Sequence, residues 1–594
     1  MLTRAVVGLS FIRGSAANGL RTTARHSASS ASSKPKRVVT FRRLLVGASL
    51  AGVAYLTARY VSNKRRLARP DRENRKRLVV LGSGWAAVSL LQTLDPGLYD
   101  VAVISPRNYF LFTPLLPSVT VGTIEARSIA EPIRALTTRT QGSERVKFHE
   151  AKCLAVDPRK KTVRCRDVSG ITGENADFEL EYDILVVAVG SRSNTFNTPG
   201  VKENCFFVKE LTDAAKIRNC ITDSIETACM PQQTDEERWR LLHFVVVGGG
   251  PTGVEFAAEL QDFVDEDLAR LYPRRMVENI RVSLVQSADH ILNTYDQDIS
   301  NFTEKQFKRE GIDVITNCRV AAVDEKELVL RDKVTKGKKM VPYGLCVWAT
   351  GVARRPITVQ LSGELPEQTH RRALTTDKYL RVKGAEASIF AIGDCSTIEQ
   401  KQMVAEVDGL FAEADVNGDG LVTVNEFHSL LSRFRNRYPQ IATYFSQSWD
   451  ENVEKLFEQS DQDGSSTLNL NEFRMALKEV DKELKSLPAT AQVASQQGEY
   501  LAHLLNDLAD ARDLTAVESL SLRPFAYKHQ GSMAYVGGNQ AVLEMPIVGT
   551  LCGWWVMWLW RGAYASQLSS NRTKTLVLLD WLKTSVFGRD TSRL

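Results

Sequence analysis

Short, unbroken apolar runs recur along the chain: Leu78-Val79-Val80-Leu81, Val101-Ala102-Val103-Ile104, Phe244-Val245-Val246-Val247, Val347-Trp348 and Ile389-Phe390-Ala391-Ile392. Their length and lack of polar alternation read as buried strands. Two of them run straight into glycine clusters, Gly82-Ser83-Gly84-Trp85-Ala86-Ala87 and Gly248-Gly249-Gly250-Pro251-Thr252-Gly253, and a helical pattern follows each. Further on, the pattern changes period. Val407, Leu410 and Phe411, then Phe427, Leu430 and Leu431, fall at helical spacing on either side of a polar stretch, and Leu576, Leu579, Leu582 and Val586 do the same near the C-terminus.

A strand, a tight glycine turn and a helix N-terminus together form an anion cradle. Glycine permits the turn and lets backbone N–H groups approach a pyrophosphate. Two such fingerprints, led by Gly82, Gly84 and Ala87 and by Gly248, Gly250 and Gly253, imply two nucleotides side by side. The run ending at Gly351 reads as the strand and turn that close a nucleotide domain, and Gly393-Asp394 places a carboxylate after a buried strand. This ordered set resembles the two-dinucleotide-domain flavoproteins. The resemblance implies an outer FAD domain, an inserted NAD(P)H domain, and Asp394 hydrogen-bonding the FAD ribityl or pyrophosphate region.

The polar stretch between the helical patterns fits a twelve-residue calcium loop of the EF-hand type. Its ligands are Asp415, Asn417, Asp419, the Leu421 carbonyl, Thr423 and Glu426, with Gly420 at the sharp turn. A second copy offers Asp461, Asp463, Ser465, Thr467, Asn469 and Glu472, but Ser466 stands where the first loop has glycine. If that position is left-handed, serine costs about 1–2 kcal/mol there. Val422 and Leu468 occupy the positions where paired loops exchange a short strand. The pair interrupts the nucleotide-binding body, so calcium ordering of the insertion has a physical route to a nucleotide site.

The 594 residues carry a net charge of +6, unevenly placed. No Asp or Glu precedes Asp71, while Arg4, Arg13, Arg21, Arg25, Arg42 and Arg43 punctuate a Ser- and Ala-rich start, the makeup of a mitochondrial transit peptide. Leu44 to Val61 is apolar but interrupted by Arg59; it reads either as a stop-transfer anchor or as a segment lost on processing. Ile547 to Trp560 is too short to span a bilayer and is crowded with Trp554, Trp555, Trp558 and Trp560. With the amphipathic pattern after it and Arg572, Lys574, Lys583 and Arg589 nearby, it reads as a segment lying on an anionic membrane surface or in a dimer interface. Nine cysteines are scattered without a C-x-x-C pair, and neither Cys153 nor Cys346 has an evident partner. That spacing counts against a dithiol relay at a flavin.

Three long strings, Ser105 to Pro117, Ala491 to Gly498 and Gly531 to Gly537, extend the likeness. From about Lys76 to Leu594 the chain resembles the calcium-binding branch of the type II (alternative, rotenone-insensitive) mitochondrial NAD(P)H dehydrogenases. The resemblance implies an α/β fold with two Rossmann-like dinucleotide-binding domains, an inserted α-helical EF-hand pair and a C-terminal membrane-associated helical region. The boundaries expected are 1–43 transit peptide, 44–61 stop-transfer segment, 76–240 and 353–400 FAD domain, 241–352 NAD(P)H domain, 401–486 EF-hand insertion, 487–540 FAD and quinone segment, and 541–594 membrane region. The cofactors implied are FAD, NADPH or NADH, Ca2+ and the substrate ubiquinone. Gln492 and Gln496 would line the quinone tunnel, Glu255 would lie near the nicotinamide–flavin contact, and Thr113, Pro114 and Ala491 would border the cofactor. The implied setting is the intermembrane-space face of the mitochondrial inner membrane, as a peripheral homodimer without a nucleic-acid partner.

Two departures from the simplest dinucleotide pattern bear on ligands. Ser105 replaces the acidic residue expected on the FAD adenosine ribose and is expected to bond that ribose instead. Gln286 ends the strand Arg281 to Val285 where an NADH-selective site places a carboxylate, so the 2′-phosphate of NADPH is not repelled and NADPH is the expected donor. The activity implied is calcium-regulated quinone reduction without proton pumping. Two alternatives stand beside it: a calcium-sensing flavoprotein acting through partner binding, and a sulfide:quinone reductase.

Overall fold

The computed structural model describes residues 75–592 except for short segments at 142–145, 172, 386, 436, 446–448, 483, 485–486, 510–521 and 547–548. The expected transit peptide and the 44–61 segment lie outside the described residues.

The apolar runs become the centres of two sheets. In the first, the strands order spatially as Ile389–Ala391, Ile184–Val187, Lys76–Leu81, Tyr99–Ser105 and Val146–Asp157, all parallel, followed by the antiparallel pair Thr162–Asp167 and Asp177–Glu181. Lys76–Leu81 lies between the strand that follows it and one that returns much later. Its C-terminal end is therefore the topological switch point, where open α/β sheets bind ligands. The second sheet orders as Phe206–Phe207, Leu345–Trp348, His243–Val247, Arg281–Val285 and Asp313–Ile315, again parallel, with the second glycine turn at its own switch point. Its edge strand Phe206–Phe207 comes from residues expected in the first domain, so the second domain draws on chain before 241. A two-residue strand is too short to announce itself by periodicity.

Helix Ala491–Leu508 packs along the first dinucleotide helix, Trp85–Thr93. The close approach requires Gly498, because a Cβ there would stand 2.3 Å from the Ala86 carbonyl oxygen. The insertion has its own core, built from Leu410, Phe427, Leu431, Phe457, Phe473 and Leu477 among others.

The C-terminal region differs from the expected single apolar segment. Gly549–Gly553 is the third strand of an antiparallel sheet with Ser532–Gly537 and Gln540–Met545, and the helix begins only at Trp554. Gly553, at φ +123°, makes the break. A second helix, Asn571–Phe587, follows. Among the described residues no helix is long and apolar enough to cross a membrane.

Candidate functional site

At the first turn, Gly82 has φ +116° and a Cβ would meet the Ala188 carbonyl oxygen at 2.2 Å, whereas a Cβ on Gly84 would meet nothing within 4 Å. The turn is thus closed against the sheet on one side and open on the other, as a pyrophosphate cradle requires. Ala87 is fully buried. The Trp85 indole N–H donates to the Thr113 hydroxyl (3.0 Å), which holds Thr113 and Pro114 against the start of the helix. Ser105 ends the strand Tyr99–Ser105 beside this turn. It is buried, its hydroxyl bonds Ser83 Oγ (2.8 Å) and it accepts the Arg107 N–H (3.2 Å), so it braces the glycine turn.

The second turn repeats the logic more tightly. Gly248 has φ +119°, Gly250 faces open space, and a Cβ on Gly253 would lie 1.9 Å from the Gly248 carbonyl oxygen. Gln286 is buried at the strand end, where its Oε1 accepts from the N–H groups of Gly249 (3.2 Å) and Ser287 (3.1 Å). Asp289, three residues on, turns its carboxylate to His290 (2.6 Å), and Lys333 donates to the Ser287 carbonyl. Gly351, at φ +76°, packs under Phe196, and the strand it begins, Val352–Arg354, pairs with Ser191–Ser193 to connect the two domains.

The Gly393-Asp394 turn sits against the first dinucleotide helix and helix Ala491–Leu508. Asp394 accepts from Ser191 Oγ (2.9 Å) and lies 3.7 Å from the Lys209 ammonium. A Cβ on Gly393 would reach Ala86 at 3.3 Å and Ala494 at 3.5 Å. Helix Ala491–Leu508, capped by the Thr490 hydroxyl, meets this turn through Gln497, whose Oε1 accepts the Gly393 N–H (2.6 Å). Gln497 was not among the expected site residues. Gln492 and Gln496 have their amides committed to the next segment: Gln492 donates to the Gly531 carbonyl (2.7 Å), and Gln496 exchanges bonds with the Lys528 backbone (2.8 and 2.9 Å).

Glu255 is buried on helix Pro251–Phe263, and its carboxylate accepts the Tyr535 N–H (3.3 Å). Desolvation pushes its carboxyl up to about 8, opposed by that hydrogen bond. One turn and two turns on, Glu259 accepts from Ser118 (2.6 Å) and Thr123 (2.7 Å), and Asp262, pushed up to about 7 mainly by desolvation, accepts from the Tyr535 hydroxyl. Trp560 and Tyr564 of the C-terminal helix pack with ring centroids 4.6 Å apart and planes tilted by 58°, and Tyr564 meets Phe112, which in turn meets Trp85. This aromatic line joins the acid-bearing second helix to the first glycine turn. Arg589, in the tail beyond the last helix, is buried against Asp267 (2.7 Å) and Glu266 (2.8 Å).

The calcium loops form as the spacing predicts. Asp415 accepts the N–H groups of Gly418, Asp419 and Gly420 (2.8–3.1 Å), and Asp461 accepts those of Gly464, Ser465 and Ser466 (2.9–3.1 Å). Val422 and Leu468 exchange both backbone bonds. Ser466 is left-handed, at φ +61°. Carboxylate oxygens of Asp461, Asp463 and Glu472 nonetheless gather within 4.8 Å of one another, which fits a calcium ion. In the first loop Asn417 donates to Asp419 (2.8 Å), and Glu426 accepts from Val416 and Thr423.

Profiles described as pyridine nucleotide-disulphide oxidoreductase, EF-hand domain pair and NDH2 C-terminal domain match residues 76–409, 404–478 and 529–590. The external alternative NAD(P)H-ubiquinone oxidoreductase B1 of Solanum tuberosum mitochondria is 43% identical over 93% of this chain and 97% of its own length. The chain belongs to the alternative NAD(P)H-ubiquinone oxidoreductases. The external NADH-ubiquinone oxidoreductase 2 of Saccharomyces cerevisiae is 36% identical over 87% of this chain and 82% of its own length. Among solved structures, NDH2 from Plasmodium falciparum in complex with NADH matches at a TM-score of 0.73 and 32% identity, covering 87% of this chain and 100% of that one.

For a member of this family the cysteines hold a correction. Cys153 and Cys165 face each other across antiparallel strands, and Cys205 Sγ lies 3.3 Å from Cys346 Sγ, so both thiols expected to be solitary have partners. Separations of 12 and 141 residues conceal such pairs in a sequence. Neither pair adjoins the Gly393-Asp394 turn through any hydrogen bond among the described residues, and the dithiol relay of a sulfide:quinone reductase gains no support from them.

Proposed function

We propose that this chain passes two electrons from NADPH, with NADH as a second donor, through FAD to membrane ubiquinone under calcium control, at the intermembrane-space face of the mitochondrial inner membrane. The observation that carries this reading is the pair of open glycine turns with buried Glu255 and the aromatic line between them. Bound FAD supplies the two-electron chemistry. Gly82 and Gly84 would hold its pyrophosphate, and Asp394, fixed by Ser191 and Lys209, would hold the ribityl region. Glu255, neutral below about pH 8, holds a proton at Oε1 or Oε2 and would present it to the bound rings. Protons and electrons meet the quinone on one face in this reading, so no proton is pumped.

Donor choice rests on Gln286. It is neutral, and the Lys333 cation stands at Ser287, both of which favour a 2′-phosphate. The names of the plant relatives carry NAD(P)H, and those of the plant and yeast relatives carry the word external, which supports the proposed face.

Calcium coupling has a covalent path with braced ends. Asp481, at the close of the last insertion helix, accepts the N–H groups of Met403 and Val404 (both 3.0 Å), tying the two ends of the insertion together. Glu472 lies on that same helix, and the chain continues into the helix whose Gln497 holds Gly393. Lipid docking is proposed for Trp554, Trp558, Leu579, Leu582, Val586 and Phe587, which all project from the two C-terminal helices into solvent.

The test of the donor reading is Gln286→Glu in FAD-loaded protein. The NADPH-to-NADH ratio of kcat/KM is expected to fall by about tenfold or more as the carboxylate meets the 2′-phosphate. Unchanged selectivity overturns it.

A further inference from the structure

The edge of the second sheet carries chemistry that the reaction does not use. Cys205 immediately precedes the edge strand Phe206–Phe207, and Cys346 lies in the adjacent parallel strand Leu345–Trp348. Phe206 registers with Val347, so Cys205 stands beside Cys346, and the Cys205 thiol donates to Cys346 Sγ at 3.3 Å. Adjacent strands lie about 4.8 Å apart, inside the Cα separation of roughly 4.4–6.8 Å that a disulfide spans. The sulfurs need to close by only about 1.3 Å to reach bonding distance. A cavity of about 250 Å³ opens onto the pair, lined by Glu203, Asn204, Phe206 and Tyr343 as well as by both cysteines. Cys205 is 8% exposed and Cys346 not at all, so a small reagent in the cavity meets Cys205 first.

We propose that Cys205 and Cys346 are a peroxide-responsive dithiol that closes to a disulfide and locks the edge of the NAD(P)H-domain sheet. In the first step the Cys205 thiolate attacks hydrogen peroxide, forming a sulfenic acid and releasing hydroxide. Cys346 then attacks the Cys205 sulfur, the S–O bond breaks and water leaves. Two thiols and one peroxide give one disulfide and two waters, and a thiol reductant reverses the change. The new bond closes a loop of 141 residues that contains the whole second glycine turn. A loop of that length restricts the unfolded chain strongly, so oxidation stabilises this domain. Strand Leu345–Trp348 also leads directly to Ala349, whose N–H bonds the Val247 carbonyl beside Gly248. The lock is thereby built into the frame of the nucleotide turn.

The experiment uses FAD-loaded full chain, reduced, freed of reductant and exposed to hydrogen peroxide. Remaining thiols are then alkylated and the peptides mapped by mass. The expected result is a cross-linked peptide joining Cys205 to Cys346, lost on dithiothreitol treatment, together with a reductant-reversible rise in Tm of several degrees that Cys205→Ser lacks. Retention of alkylatable thiol at both positions, or oxidation of Cys205 to a sulfinic acid with Cys346 still free, overturns the proposal. So does a cross-link that leaves Tm unmoved. Mapping of the unsubstituted protein decides the question even where Cys205→Ser fails to fold.

Discussion

Gly498→Ala probes the contact on which the flavin-side geometry depends. The added methyl would stand 2.3 Å from the Ala86 carbonyl oxygen and 2.9 Å from the Leu90 nitrogen, against an ordinary contact of 3.4–4 Å. Both obstructing atoms are backbone, so no side chain can swing away and helices Ala491–Leu508 and Trp85–Thr93 must part by about 1 Å. Overpacking of this kind costs about 1–3 kcal/mol, and the rigid obstruction places it near the upper end. Alanine recovers about 1 kcal/mol of helix propensity. The net loss of about 2 kcal/mol corresponds to a fall in Tm of about 4–8 °C for a domain of this size. The moved helix begins at Trp85, directly after Gly84, so FAD affinity falls with stability. Thermal release of flavin fluorescence reads both. Gly363→Ala serves as the control, since it lies in helix Pro356–Glu364 with nothing within 4 Å of its Cβ and is expected to gain up to about 1 kcal/mol. If Gly498→Ala melts with Gly363→Ala, the close-packing argument is wrong.

Glu255→Gln tests the buried carboxyl. Its folded pKa, about 8, lies above the ordinary 4.5, so the native state binds the extra proton and wild-type stability falls as pH rises from about 4.5 to about 8. Glutamine keeps an acceptor for the Tyr535 N–H and removes that fall; chemical denaturation across the window should show the variant gaining on the wild type by a few kcal/mol at pH 8, and parallel curves would refute it. Ser466→Gly relieves the left-handed serine by about 1 kcal/mol and should tighten calcium at the second loop by about fivefold in titration calorimetry, whereas an unchanged affinity would mean that the strain does not limit binding. Trp554→Ser with Trp558→Ser should release the chain from vesicles containing cardiolipin while leaving its Tm unchanged, because both side chains are exposed; full retention on vesicles would remove these residues from the docking face.

The glycine turns and calcium loops were legible because each is a local device, in which the spacing of glycines or oxygen ligands carries its own chemistry. What escaped the sequence depends on distance along the chain or on phase. Gln497 is one such residue, yet Ala494, Gln497, Gly498 and Leu501 recur at helical spacing and form the buried face. That periodicity was a usable signal. Ser105, at the position of the expected acid, bonds Ser83, a contact across 22 residues. The cysteine partners, the edge strand Phe206–Phe207 and the burial of Arg589 against Asp267 arise only when remote segments meet.

The insertion and the flavin side lie on one covalent line. Asp481 ties the ends of the insertion, and the next helix carries Gln497 to Gly393 and Gly498 to Ala86. A conformational change in the insertion therefore has two points of leverage on the flavin side, Gly393 and the first dinucleotide helix.

The central claim is tested most directly by steady-state reduction of a short-chain ubiquinone by FAD-loaded protein, with NADPH and NADH compared across buffered free calcium. The account predicts turnover with NADPH that rises with calcium and exceeds the NADH rate. Absence of quinone reduction with either donor, with FAD and calcium both bound, would contradict it and leave partner binding as the role of the chain.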